Sequence, residues 1–397
     1  MSTSSFPPYE KPATRNGRKK WIVFGALAAL IALAVVGVAV GVSVSKKKDN
    51  DKSAQAAIQA TDGGNSNNNN GNNNNNSNNP PSTPNGQPTT DPSVFEKDPN
   101  LFKSFYGMAY TPENSQLPNC GNNLEAVIKD IQLMSQLTNR LRLYGADCNQ
   151  AELVMEAIKQ TKVNMQVYLG NYPVPNDNNA AYIRQRDAIK AVIEKYGTEH
   201  IAGITVGNEF MLNYLVQNGG TQANSPIGDQ GAAILIPNIQ DTRDMLKGMN
   251  LNKNIPVGNS DAGSFFNNHV FEAIDYGMAN VHAWFAHVGI EDAAQWTMTF
   301  FQQQDVDVAN TFPNKPQMTI AETATANNGP ADASEANLQI FLDTFVCQAN
   351  QAGIGYFFFE LFDEKWKDVE FGGVEGWWGL FHGNRTLKNI KIPNCPL

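Results

Sequence analysis

The chain has 397 residues, 41% of them hydrophobic, and a formal net charge of −9. That overall acidity argues against binding driven by phosphate neutralisation, so no nucleic-acid partner is expected. The five histidines and four cysteines have no Cys-x-x-Cys or other metal-ligand spacing, so no metal or cofactor is expected either.

Residues 1–20 read as a short tail. Trp21 to Val44 is apolar apart from Ser43 and carries no charge, which is long enough for the ~20 residues of a membrane-crossing helix. It is too long for an ordinary signal-peptide core and no small-x-small site follows, so it reads as a signal anchor rather than a cleaved signal. Lys11, Arg15, Arg18, Lys19 and Lys20 slightly outnumber Lys46, Lys47, Lys48 and Lys52 on the far side. That bias puts the tail in the cytoplasm and predicts a single-pass type II plasma-membrane protein with the remainder outside the cell. Residues 45–100 are expected as a disordered linker: Asn65–Asn79 is nearly all Asn, and Pro80, Pro81, Pro84, Pro88 and Pro92 follow. Asn75 and Asn384 head glycosylation sequons, Asn75-Asn76-Ser77 and Asn384-Arg385-Thr386.

Residues 101–397 alternate short apolar runs with helix-period segments. Strands are predicted over 104–109, 138–144, 164–169, 201–206, 255–258, 279–283, 317–321 and 355–359. Leu124, Val127, Ile128, Ile131, Met134 and Leu137 mark a helix, Asn149 and Glu152 suggest a capping box for the next, and a helix carrying Ile183, Ile189, Val192, Ile193 and Tyr196 should stop at Gly197. Eightfold strand–helix alternation predicts an α/β fold, a (β/α)8 TIM barrel preceded by the transmembrane helix and the linker. A doubly wound open sheet is the competitor, but no Gly-x-Gly-x-x-Gly turn supports it. The even cysteine count outside a membrane suggests two disulfides. Cys120–Cys148 and Cys347–Cys395 are the short-loop pairing among the three that sequence allows.

Polar residues gather where the predicted strands end, where barrel enzymes keep their chemistry. Strand two ends in Arg142, Tyr144 and Asp147, strand four in Asn208 and Glu209, and strand five in Asn259 and Asp261. Strand six carries His282 and Trp284, strand seven Glu322, and strand eight Glu360, Asp363 and Glu364. A carboxylate beside a buried strand is costly and needs a reason. Two of them facing one cleft, Glu209 and Glu322, are what glycosidic cleavage requires, one as proton donor and one as nucleophile or base. The bland alternative for each is a charge at the start of the following helix.

Tyr-Gly-Met-Ala-Tyr-Thr-Pro (106–112), Arg-Leu-Tyr-Gly-Ala-Asp-Cys-Asn-Gln (142–150), Val-Gly-Asn-Glu (206–209) and Phe-Phe-Glu-Leu-Phe-Asp-Glu-Lys-Trp-Lys (358–367) resemble fungal members of glycoside hydrolase family 17. The resemblance implies retaining endo-hydrolysis of cell-wall β-1,3-glucan, with Glu209 as acid/base and Glu322 as nucleophile. It implies a sugar contact from Asn208 and favours binding roles for Glu360 and Glu364. From the residues themselves, Tyr144 and Trp284 are candidate sugar platforms, Arg142 orients the nucleophile or pairs with a barrel carboxylate, and His282 bonds the sugar or the acid/base or is a core histidine. A β-1,3-glucanosyltransferase on the same polymer is the nearest alternative, and a non-hydrolytic wall-glucan-binding protein the next. The stretch 211–235 is expected as a long connection bordering the acceptor side of the cleft. After Glu322 the chain reads Thr323-Ala324-Thr325-Ala326 where the family usually continues Thr-Gly-Trp-Pro, so the usual aromatic is missing.

Overall fold

The computed structural model describes residues 91–323, 334–370 and 375–397. The expected anchor Trp21–Val44, the linker up to residue 90, Asn75 and the altered stretch 324–326 lie outside the described residues. Residues 91–100, expected as linker, instead lie along the first helix: Gln132 donates to the Pro92 carbonyl at 2.8 Å, and the Asp98 backbone N–H donates to Gln136 at 2.8 Å.

Eight parallel strands alternate with helices. In chain order they are β1 (Gly107–Ala109), α1 (Leu124–Met134), β2 (Arg140–Arg142), α2 (Gln150–Thr161), β3 (Gln166–Asn171), α3 (Ala180–Tyr196), β4 (Ile201–Asn208), α4 (Phe210–Gln217), α5 (Pro226–Gly248), β5 (Val257–Ala262), α6 (Asn268–Ala273), β6 (Tyr276–Asn280), α7 (Ile290–Phe301), β7 (Gln317–Glu322), α8 (Glu335–Phe341), β8 (Phe357–Phe358) and α9 (Lys365–Glu370). The sheet runs β7-β6-β5-β4-β3-β2-β1-β8, and one parallel bridge, Ile320 to Tyr356, joins β7 to β8 and completes the ring. The open sheet is thereby excluded.

The barrel floor is aromatic. Tyr168 of β3 meets Tyr276 of β6 and Phe357 of β8 edge-on, with ring centroids 5.5 and 5.3 Å away. Tyr276 fits because β4 and β5 present Gly203 and Gly258 to it; a Cβ on Gly258 would meet its ring at 2.5 Å. This packed layer fills the lower part of the barrel with side chains, as such barrels require.

Local expectations fared unevenly. Gly197 ends α3 at φ 72, as its freedom from a Cβ allows. Ile183 is 44% exposed, so the buried face of α3 is carried by Tyr182, Gln185, Ile189, Val192 and Ile193. The capping box is absent: Asn149 is left-handed with no side-chain cap, and Glu152 pairs with Lys195 at 2.7 Å. The expected connection 211–235 is mostly helix, α4 followed by the first turns of α5. Both disulfides, Cys120–Cys148 and Cys347–Cys395, are present. The first ties the loop after β1 to the loop after β2; the second ties the helical segment Cys347–Ala352 to the chain's last residues.

Candidate active site

Two register slips aim the key side chains. Strand residues alternate between faces, so one slip turns every later side chain over. Against β5, β4 pairs Thr205 with Gly258 and then Asn208 with Ser260. The extra residue falls near Gly207, whose φ of 98 suits glycine. Thr205 points inward to the Tyr276 hydroxyl at 2.8 Å, and after the slip Asn208 points inward too. Against β6, β7 pairs Ile320 with Ala279 and then Glu322 with Asn280. Ala321 packs inside with Tyr276 and Phe357, and Glu322 also turns into the mouth.

Glu322 is 6% exposed. Its Oε2 lies 3.2 Å from His282 Nε2, and its Oε1 lies 3.5 Å from an Arg142 guanidinium nitrogen. Arg142, 1% exposed, also donates to the Ala321 carbonyl at 3.1 Å and to Asn208 Oδ1 at 2.9 Å, with the Tyr144 ring 4.5 Å away. Burial alone would raise the Glu322 pKa, but the His282 hydrogen bond and the Arg142 charge outweigh it and hold the carboxyl below its ordinary value.

Glu209 stands across the mouth in the opposite environment. Its Oε1 accepts one hydrogen bond, from Asn280 Nδ2 at 3.0 Å, and no cation pairs with it among the described residues. Burial and the Glu322 charge push its pKa up to about 7. At neutral pH one carboxyl is thus ionised while the other still holds a proton in a large fraction of molecules.

Asn280 and Ser260 complete the link between the two carboxyls. Ser260 Oγ lies 3.3 Å from both Asn208 Oδ1 and Asn280 Oδ1. Sequence reasoning missed both residues. Asn280 had a signal, since it precedes His282 by two on one strand and so shares its face. On β5 the reasoning chose the wrong face. Asn259 and Asp261 point away from the mouth, Asn259 to the Val206 carbonyl at 2.9 Å and Asp261 to the start of α4 at 2.8 Å, while Ser260 between them points in. Asp147 is also outside the site, in a surface pair with Arg184 at 2.6 Å.

The last strand adds a buried ionic cluster. Lys367 Nζ sits 2.7 Å from Glu360 and 3.3 Å from Glu364, and the Trp366 indole donates to Glu364 at 2.7 Å. Burial drives the Glu360 pKa well up, with the Glu364 charge adding to it. Glu375, which the sequence reading did not single out, is close enough to feel the charges of His282 and Lys367. Burial raises its pKa, and His282 and Lys367 oppose the rise. Asp363 instead pairs with Lys388 at 2.7 Å. Tyr144 is half-buried, and burial and the Glu322 charge hold its phenol well above the ordinary value. Trp284 is 4% exposed and packs against Phe285, Trp378 and Phe359. Asn384 is exposed, and Thr386 Oγ1 donates to its Oδ1 at 2.6 Å. Among the described residues no group of three or more His, Cys, Asp or Glu side chains could hold a metal, and no helix is long and apolar enough to cross a membrane.

The fold and site define a (β/α)8 barrel with a carboxylate-bearing cleft at the C-terminal ends of its strands. Residues 107–379 match the family model for the BtgE/BtgC glycoside hydrolase domain, and the chain belongs to that family, within the fungal proteins of glycoside hydrolase family 17. It is 35% identical to btgC of Aspergillus niger over 75% of this chain and 44% of that protein. It is 31% identical to the glucan endo-1,3-beta-glucosidase btgC of Emericella nidulans over 74% of this chain and 47% of that one. The chain therefore spans less than half the length of these curated relatives. Among solved structures, a family 17 beta-1,3-glucanosyltransferase from Rhizomucor miehei aligns at TM-score 0.58 and 24% identity, covering 73% of this chain and 98% of that one. An endo-laminarinase from Formosa aligns at TM-score 0.55 and 20% identity, covering 71% and 84%. Those structural likenesses establish the barrel fold.

Proposed function

We propose that this protein cleaves β-1,3-glucan with retention of configuration, with Glu322 as nucleophile and Glu209 as acid/base. The observation that carries the reading is the opposite setting of the two carboxyls: Glu322 held ionised by His282 and Arg142, Glu209 held toward its protonated form at about 7. Glu322 attacks the anomeric carbon while Glu209 delivers its proton to the departing glycosidic oxygen, leaving a glycosyl ester on Glu322. Glu209, now ionised, takes a proton from the incoming hydroxyl, whose oxygen attacks the anomeric carbon and frees Glu322. Arg142 fixes Asn208 through Oδ1, so the Asn208 amide N–H groups are available to the sugar hydroxyl beside the reacting carbon. Tyr144, His282, Trp284, Glu360 and Glu364 are further proposed sugar contacts.

The relatives' names support β-1,3-glucan as the polymer. Hydrolysis and glucanosyl transfer share the ester and differ only in the acceptor. The uncharged stretch Trp21–Val44 supports a membrane anchor, and the disulfides support a barrel on the outer side facing the wall. Incubation of the protein with reduced laminari-oligosaccharides tests the reading. Shorter products alone indicate hydrolysis, longer ones transfer, and unchanged substrate rejects both.

A further inference from the structure

Glu209 occupies an unusual backbone position. It is a non-glycine residue at φ 53, ψ 32, and it is also the N-cap of α4. The left-handed region costs a side-chain-bearing residue on the order of 1–2 kcal/mol. An N-cap side chain normally accepts from the first free N–H groups of its helix. Glu209 does not; its carboxyl reaches into the mouth toward Asn280. The amides of Met211 and Leu212 are therefore left without the cap their own chain would supply.

Asp261 supplies it from the neighbouring strand. It is fully buried, and both carboxyl oxygens are used: Oδ2 accepts from the Met211 N–H at 2.8 Å, and Oδ1 accepts from Leu212 at 3.3 Å and from Ala262 at 3.0 Å. One residue earlier, the Ser260 carbonyl accepts from the Glu209 N–H at 3.1 Å. The end of β5 thus holds the start of α4 from both sides of Glu209. A mouth-facing polar residue, Ser260, and an outward-facing carboxylate, Asp261, alternate to do this.

We propose that Asp261 is a positioning residue for the acid/base. By capping α4 in place of Glu209, it frees the Glu209 carboxyl for the cleft and holds the strained turn that aims it. The inference rests on Glu209 being the acid/base, and its test uses the leaving group to separate proton donation from everything else. A sugar alkoxide cannot depart without a proton, whereas a 2,4-dinitrophenolate can. Asp261→Ala should lower kcat/KM on reduced laminari-oligosaccharides by about 10²-fold, the scale of a 1 Å misplacement. On a 2,4-dinitrophenyl β-laminaribioside the same variant should stay close to wild type. Glu209→Gln should give the same pattern more strongly. Asp261→Asn, which keeps one acceptor oxygen and loses the other, should fall between Asp261→Ala and wild type; it carries the test alone if circular dichroism shows that Asp261→Ala does not fold. Equal losses on both substrates, or no loss on the oligosaccharide, would overturn the proposal while Glu209→Gln still discriminates. If Glu209→Gln itself shows no leaving-group dependence, the acid/base reading falls and this inference with it.

Discussion

Replacing Asn280 by Leu isolates the one hydrogen bond that opposes the raised pKa of Glu209. Asn280 Nδ2 donates to Glu209 Oε1 at 3.0 Å, and this favours the ionised form. A hydrogen bond to a charged group contributes ~1.5–3 kcal/mol, and 1.36 kcal/mol corresponds to one pKa unit, so its loss should raise the Glu209 pKa by about 1–2 units. Leu has the same heavy-atom branching as Asn but no polar atom, so the donor is removed without a new one on the side chain. The starting point is a pKa of about 7. Under the proposed mechanism Glu209 must be protonated in the free enzyme, so it sets the alkaline limb of the kcat/KM profile. That limb should move to higher pH in Asn280→Leu, while the acid limb set by Glu322 stays put. Initial rates on a reduced laminari-oligosaccharide across the pH range measure it. Ser260→Ala, which leaves the Asn280–Glu209 bond intact, is the control and should not move the limb. An alkaline limb that stays in place or moves down in Asn280→Leu would refute the assignment of Glu209 as the acid.

Glu322→Gln should lose turnover by at least about 10³-fold, and Glu322→Gly should couple an α-laminaribiosyl fluoride to an acceptor; near-normal hydrolysis by the Gln variant would reject the nucleophile. Glu209→Gln should stabilise the fold at alkaline pH. The folded-state pKa is raised above the unfolded value, so wild type loses stability as pH climbs from the ordinary carboxylate range through about 7. At ~1.4 kcal/mol per unit the gain is up to about 3 kcal/mol, less what solvent screening at the open mouth removes, and it should vanish in acid, as thermal melts at two pH values would show. Removing the Cys120–Cys148 bridge by double Ser substitution should cost about 3 kcal/mol in denaturant unfolding. Protease added to intact, wall-stripped cells should cut the Asn-rich linker and release an active barrel; protection until the membrane is permeabilised would reverse the proposed topology.

The barrel was legible because its signals are local. Apolar runs of strand length, helix-period stripes such as Val127, Ile131 and Met134, and a stop at Gly197 each sit within one short window. The two disulfides were legible too, and so was the placing of Glu209 and Glu322 at strand ends. A carboxylate next to a buried strand stands out in any chain, and an even count of cysteines without metal-ligand spacing suggests pairing. The errors have a common form. The reading took Asn259 and Asp261 as mouth residues and overlooked Ser260, and put a capping box at Asn149.

The sequence by itself determined the strand–helix order and the residue types at the strand ends. It could not determine which way those residues face. Side chains alternate every residue, and the slips near Gly207 and Ala321 reverse that alternation just where the site begins. Only pairing with β5 and β6 reveals the slips. The tertiary structure likewise decided how the two carboxyls differ. Glu209 and Glu322 are the same residue type; burial pushes both up, and Arg142 and His282, converging on Glu322 from β2 and from beyond the end of β6, bring that one down.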